Sequence, residues 1–212
     1  MKEYTFPTEE KEDCCVAESE IAYQIAKHRY TYADYLSWDD DVRRELIDGF
    51  VYELSAPVRR HAQLSQRLSL WLGSFITRRK GKCEIYYAPF DVRLSLSGET
   101  ADDKIETVVQ PDICVICDPS KLDKNGCLGA PDLIVEILSP STSGRDLNEK
   151  FYLYEAVGVR EYWIVYPDKD VLKVFILQEN GKYDNGTVYV KKGKAPVHIF
   201  EGLSIDLKKL FA

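Results

Sequence analysis

Apolar residues recur every third or fourth position in some stretches of this chain and every second position in others, and turn residues mark each change of period. Residues 1 to about 16 are charged and irregular. Ile21, Ile25 and Ala26 then fit a short amphipathic helix between Ala17 and Lys27. Thr31 caps a second predicted helix, Tyr32 to Ser37. Arg44 to Leu54 reads as two β-rich runs joined by Asp48-Gly49, a strong hairpin signal. A two-residue turn sets Ile47 opposite Phe50 and Glu45 opposite Tyr52, so Glu45 shares the more apolar side. From Ala56 to about Arg79 the stripe Leu64, Leu68, Trp71, Leu72 and Phe75 predicts a long helix, with His61 three residues ahead on the same side. Cys83 to Ser95 alternates like a strand broken at Pro89. Leu96 to Glu106 is a polar loop, and Thr107 to Val109 lead into a strand that begins at Asp112.

The second half is richer in strands. Leu133 to Leu138 reads as a fully buried strand of an α/β sheet, flanked by Pro131 and Pro140. A polar break follows, then a helix from about Arg145 to Val157 with the stripe Leu147, Phe151, Tyr154 and Val157. Glu161 to Tyr166 and Val171 to Leu177 are strands joined by Pro167-Asp168-Lys169-Asp170. A further hairpin centred on Tyr183 to Val190 and a tail ending at Phe211 complete the chain. The fold class is mixed α/β around one sheet flanked by helices.

Charged residues inside these patterns are the candidate chemistry. Glu136 interrupts the buried Leu133 to Leu138 run, and an ionised carboxylate there costs several kcal/mol unless a cation neutralises it. A divalent metal or a lysine would serve, and both would mark a site; the bland alternative is a strand end whose Glu reaches water. Asp112, after Pro111, sits at the mouth of its strand. Lys150 falls on the apolar helix stripe, either as a snorkelling stem or as a buried ammonium aimed at the carboxylates. Short connections make Asp112, Glu136 and Lys150 neighbours. Glu45 is either a further inward carboxylate or an edge-strand Glu in water, and a lone histidine such as His61 at a helix start is usually structural.

Composition narrows the class. With 212 residues and 45% hydrophobic content the chain supports one domain, 31–212, behind an N-terminal appendage, 1–30. It has no long uncharged apolar run and no apolar signal core at its start, which points to a cytoplasmic protein without a membrane span. A net charge of −7 argues against bulk attraction to nucleic acid, leaving local basic patches. These are Arg43-Arg44, Arg59-Arg60, Arg78-Arg79-Lys80 with Lys82, and Lys191-Lys192-Lys194. Of the six cysteines, Cys114 and Cys117 have C-x-x-C spacing but would point to opposite faces of a strand. All six read as small buried hydrophobes in a reducing compartment.

Together, Glu45 to Gly49, His61, Gln110-Pro111-Asp112, Ala130 to Thr142, Asp146 to Lys150 and Gly158 to Trp163 resemble the Uma-type family of bacterial proteins, labelled restriction endonucleases and placed in the PD-(D/E)XK nuclease superfamily. The resemblance covers about Tyr32 to Leu177. It implies a restriction-endonuclease-like core that hydrolyses DNA with Mg²⁺ or Mn²⁺, commonly as a homodimer. It further implies that Asp112, Glu136 and the carbonyl of Ile137 ligate the metal, that Glu45 is an upstream acid, and that His61 is an accessory. The superfamily's lysine two residues after the acid is replaced by Leu138, and Lys150 resembles a migrated substitute. An inactive nuclease-fold binding or regulatory protein is the alternative.

Overall fold

The computed structural model describes residues 29–139, 144 and 147–212; the expected helix at Ala17 to Lys27 and nearly all of the 1–30 appendage lie outside them. Helix α1 (Tyr32–Ser37) opens on a capping box: Asp34 N–H donates to the Thr31 hydroxyl, and Thr31 N–H donates to the Asp34 carboxylate. Strands β1 (Arg44–Ile47) and β2 (Phe50–Glu53) pair as expected, with Glu45 opposite Tyr52. Asp48 and Gly49 both have positive φ, 52° and 75°, the geometry that twists a two-residue turn to match its strands. Helix α2 spans Arg59–Arg79 and buries Leu64, Leu68 and Leu72, each worth about 2 kcal/mol.

The remaining strands are β3 (Glu84–Tyr87), β4 (Val92–Leu94), β5 (Thr107–Val109), β6 (Ile113–Ile116), β7 (Leu122–Asp123), β8 (Gly126–Leu128), β9 (Leu133–Ile137), β10 (Glu161–Tyr166), β11 (Val171–Ile176), β12 (Thr187–Val190), β13 (Lys194–Pro196) and β14 (Ser204–Asp206). Helices α3 (Glu149–Val157) and α4 (Leu207–Leu210), with a 3-10 turn at Pro119–Lys121, complete the elements of the described residues. The single sheet expected from the sequence is corrected to two six-stranded sheets and a small hairpin. One runs β2-β1-β5-β4-β8-β7 and the other β12-β11-β10-β9-β6-β3. Prolines explain the split. Pro89 and Pro111 have no N–H to give a ladder, and at each the chain leaves one sheet for the other. So Thr107 to Val109 do not lead into the Asp112 strand as one element. The β7–β8 hairpin turns at Lys124-Asn125 just ahead of Gly126, an Asn-Gly signal that adds a pair of strands to those expected above.

The second sheet positions the site. Its parallel pair, β9 and β10, is joined through α3. One face packs on α2 and α4, joining Leu64, Leu68 and Leu72 to Val115, Val135 and Trp163. The other face packs on the first sheet and α3, joining Ile134 and Tyr162 to Val92, Val109 and Tyr154. A third cluster under α1 holds Tyr32, Leu46, Ile105 and Val108.

Three smaller expectations change. Leu147 is exposed, while Phe151, Tyr154 and Val157 of the expected stripe pack on the core and Lys150 and Glu155 are also buried. Tyr183 makes only a single bridge, with Leu177, while β12 pairs back on β11. Cys83 and Cys117 form a disulfide and are not free hydrophobes. The antiparallel register sets Glu84 opposite Ile116, and its next step sets Cys83 opposite Cys117. Cys114 and Cys127 are free and buried, as expected; Cys14 and Cys15 lie outside the described residues. No helix among the described residues is long and apolar enough to cross a membrane.

Candidate active site

Each candidate residue reaches the site by local rules. Strand alternation turns Glu45 inward with Ile47, and it is fully buried. The register pairs Ile113 with Val135, and its next step brings Asp112, just outside β6, opposite Glu136 near the end of β9. Helix α3 then carries Lys150 over the end of β9. All five sequence candidates line one cavity of about 670 Å³, whose far wall is the first half of α2.

Two hydrogen-bonded groups share that cavity. In the first, Lys150 Nζ donates to Glu45 Oε1 at 2.8 Å and to Glu136 Oε1 at 2.9 Å. Tyr154 donates its hydroxyl to the same Glu136 oxygen at 2.7 Å, and Gln110 N–H donates to Glu45 Oε1 at 2.8 Å. Lys150 and Glu136 are each 3% exposed, so this is a charge-assisted buried network. Burial, then the two glutamates, push the Tyr154 phenol well above its ordinary pKa, which keeps it a donor. Of the two readings of Lys150, the ammonium aimed at the carboxylates is the one observed; Glu45 is not in water.

In the second group, Asp112 Oδ2 accepts from Ile137 N–H at 2.7 Å and lies 3.1 Å from His61 Nε2. His61 thus does more than pack: it meets the candidate acid directly. The N–H and C=O of one strand residue point to the same side, so the Ile137 carbonyl faces the edge where Asp112 lies.

Three contributors were not among the site residues expected from the sequence. Tyr154 follows Lys150 by four residues, a helical neighbour. Gln110 precedes Pro111-Asp112. Arg43 lies two residues before Glu45, on the same side of an extended segment. Of the basic patches, Arg43 alone reaches the cavity among the described residues. Arg44 instead pairs with Asp40 at 2.5 Å, and Arg60 and Lys191 both pair with Asp170 at 2.8 Å.

Among the described residues no group of three or more His, Cys, Asp and Glu side chains is placed to hold a metal ion. A hard cation such as Mg²⁺ does not need one. It takes one or two carboxylates and keeps several waters. Asp112 and Glu136, facing across the register, with the Ile137 carbonyl on the same edge, fit that requirement.

The chain matches, over residues 32–208, the model of the Uma2 family, described as "Putative restriction endonuclease". It is 30% identical over 123 residues to an uncharacterized protein of Synechocystis sp., a match covering 57% of this chain and 60% of that relative's length. A second uncharacterized Synechocystis protein is 29% identical over 140 residues, 64% of this chain and 73% of that protein. The fold resembles the crystal structure of "a putative nuclease belonging to DUF820" from Anabaena variabilis, with a TM-score of 0.68 at 20% identity. That likeness covers 86% of this chain and 97% of the other. The chain belongs to the Uma2 family and has a restriction-endonuclease-like fold.

Proposed function

We propose that this member of the Uma2 family is a divalent-metal-dependent endonuclease that hydrolyses phosphodiester bonds in DNA. The observation that carries the reading is the convergence of Glu45, Asp112, Glu136 and Lys150 on one cavity. They come from separate strands and a helix, and three of them, Glu45, Glu136 and Lys150, are buried at a cost a structural role alone does not require, with Asp112 half-buried beside them. Asp112, Glu136 and the Ile137 carbonyl would hold Mg²⁺ or Mn²⁺. Held there, such an ion would supply Lewis-acid polarisation of the phosphodiester and a more acidic water.

The protein's own groups do the rest. His61 and the Ile137 N–H hold the Asp112 carboxylate in place. Glu45 and Tyr154 hold the Lys150 ammonium and the Glu136 carboxylate at the cavity wall. From there Lys150 orients the attacking water and offsets charge growing on the phosphate. A homodimer would present two such sites to one duplex.

Incubation of supercoiled plasmid with Mg²⁺ or Mn²⁺, alongside Asp112→Asn, tests the reading. Metal-dependent nicking by the wild type and none by the variant is the expected result; no nicking under any metal overturns it. A second reading has its own observation. Glu136 already receives Lys150 and Tyr154, so the carboxylate is neutralised without a metal, as in an inactive binding or regulatory protein. Thermal melting separates the two. A metal-binding protein melts higher as ion is added, and a pure ion pair is indifferent.

A further inference from the structure

We propose that Arg43 is the residue that grips a non-bridging oxygen of the bound phosphodiester, with Gln110 as its positioning residue; this rests on the hydrolase reading and names its anion-binding group. Arg43 lines the same cavity as Asp112 and Glu136. Its Nε and Nη2 donate to Gln110 Oε1 at 3.1 and 2.9 Å. That acceptor is neutral, whereas Lys150 and His61, the other basic groups on the cavity wall, each contact carboxylates. The Nη1 donors of Arg43 meet no protein acceptor among the described residues.

The amide of Gln110 is oriented from behind. Its Nε2 donates to Asp91 Oδ1 at 2.9 Å and to the Tyr35 hydroxyl at 3.1 Å. Tyr35 and Tyr32 also donate to Asp91, at 3.2 and 3.4 Å. A carboxylate only accepts and a guanidinium only donates, so the amide fits between them in one orientation. Burial, then Asp91, raises the Tyr32 phenol to about 12, and the same causes raise Tyr35, so both remain donors. Asp91, Gln110 and Arg43 thus form a chain that ends on a half-used guanidinium fork.

Charge balance calls for such a group. Arg43 aside, three carboxylates and one ammonium give the cavity two net negative charges. One divalent ion cancels them. The phosphodiester then brings a further negative charge, which a guanidinium meets with paired, directional N–H donors.

The test is fluorescence anisotropy of a labelled DNA duplex with the full chain in Ca²⁺, comparing wild type, Arg43→Met, Arg43→Lys and Gln110→Glu. Arg43→Met should weaken binding by about tenfold or more and reduce the slope of log affinity against log salt by about one. Gln110→Glu leaves the guanidinium in place but captures it in an ion pair, so it should weaken binding in the same direction; it decides the matter if Arg43→Met fails to fold. Arg43→Lys should recover part of the affinity. Binding within twofold of wild type for both Arg43→Met and Gln110→Glu overturns the assignment, as does a wild type that does not bind the duplex. Cleavage of the same duplex with Mg²⁺ is read separately. Arg43-dependent binding without cleavage sinks the hydrolase reading and leaves this inference standing; cleavage and binding indifferent to Arg43 do the reverse.

Discussion

Lys150 and Glu45, 105 residues apart, meet at 2.8 Å in a buried pair, and the same ammonium reaches Glu136 at 2.9 Å. The lysine holds together the strand of the first hairpin and the central strand of the second sheet. Its removal is therefore both a chemical and a structural event.

Lys150→Met should abolish cleavage, with a loss of at least 100-fold in rate, about 2.7 kcal/mol of transition-state stabilisation. The fold should not be indifferent. Two buried carboxylates would lose their common cation, at a cost of about 3–5 kcal/mol. Urea unfolding measures this, and the double variant Glu45→Gln/Lys150→Met should regain part of the loss because one uncompensated charge is gone. An unchanged unfolding midpoint in Lys150→Met would contradict the buried pair.

Asp112→Asn and Glu136→Gln should both lose Mn²⁺ affinity by calorimetry, but their stabilities should diverge. Asparagine keeps an acceptor for the Ile137 N–H, so Asp112→Asn should fold nearly as well as wild type. Glu136→Gln weakens the charge-assisted bond from Lys150 and should cost about 1.5–3 kcal/mol. Unaltered Mn²⁺ affinity in both variants would remove the proposed metal set.

Tyr154→Phe deletes the hydroxyl that donates to Glu136 and should cost about 1–2 kcal/mol at neutral pH. The pH dependence has a definite sign. The folded phenol titrates well above 10, so its stabilisation is fully present below the unfolded value near 10 and is lost as pH rises beyond it. Denaturation curves from pH 9 to 12 should therefore show the wild type losing more stability than Tyr154→Phe; parallel curves would rule out that contribution.

Burial raises the Cys114 thiol far above its ordinary range and the Cys127 thiol to about 12. At pH 8 the Cys127 thiolate is then roughly one part in ten thousand, so neither residue should react with iodoacetamide in the folded protein. Peptide mapping should recover both unlabelled and find Cys83 joined to Cys117. Rapid labelling of Cys114 or Cys127 would show the core to be open.

Local patterns determined a good deal by themselves. The Thr31 cap, the Asp48-Gly49 turn with its Glu45 register, the α2 stripe and the buried β9 strand all follow from spacing and turn chemistry within a dozen or so residues. Asp112, Glu136 and Lys150 were legible as candidates because charged residues in apolar patterns need partners. Which partners they take was decided only by the tertiary structure. Glu45 could have faced water or the core until α3 brought Lys150 over it. Prolines at 89 and 111 were visible as breaks, but that the chain changes sheets there depends on strands distant in sequence. The Cys83–Cys117 bond likewise comes from the β3–β6 register, and Arg43 gains its place through Gln110 and Asp91, 67 and 48 residues further on. Pairing across such separations is set by the packing of whole faces, and no local period records it.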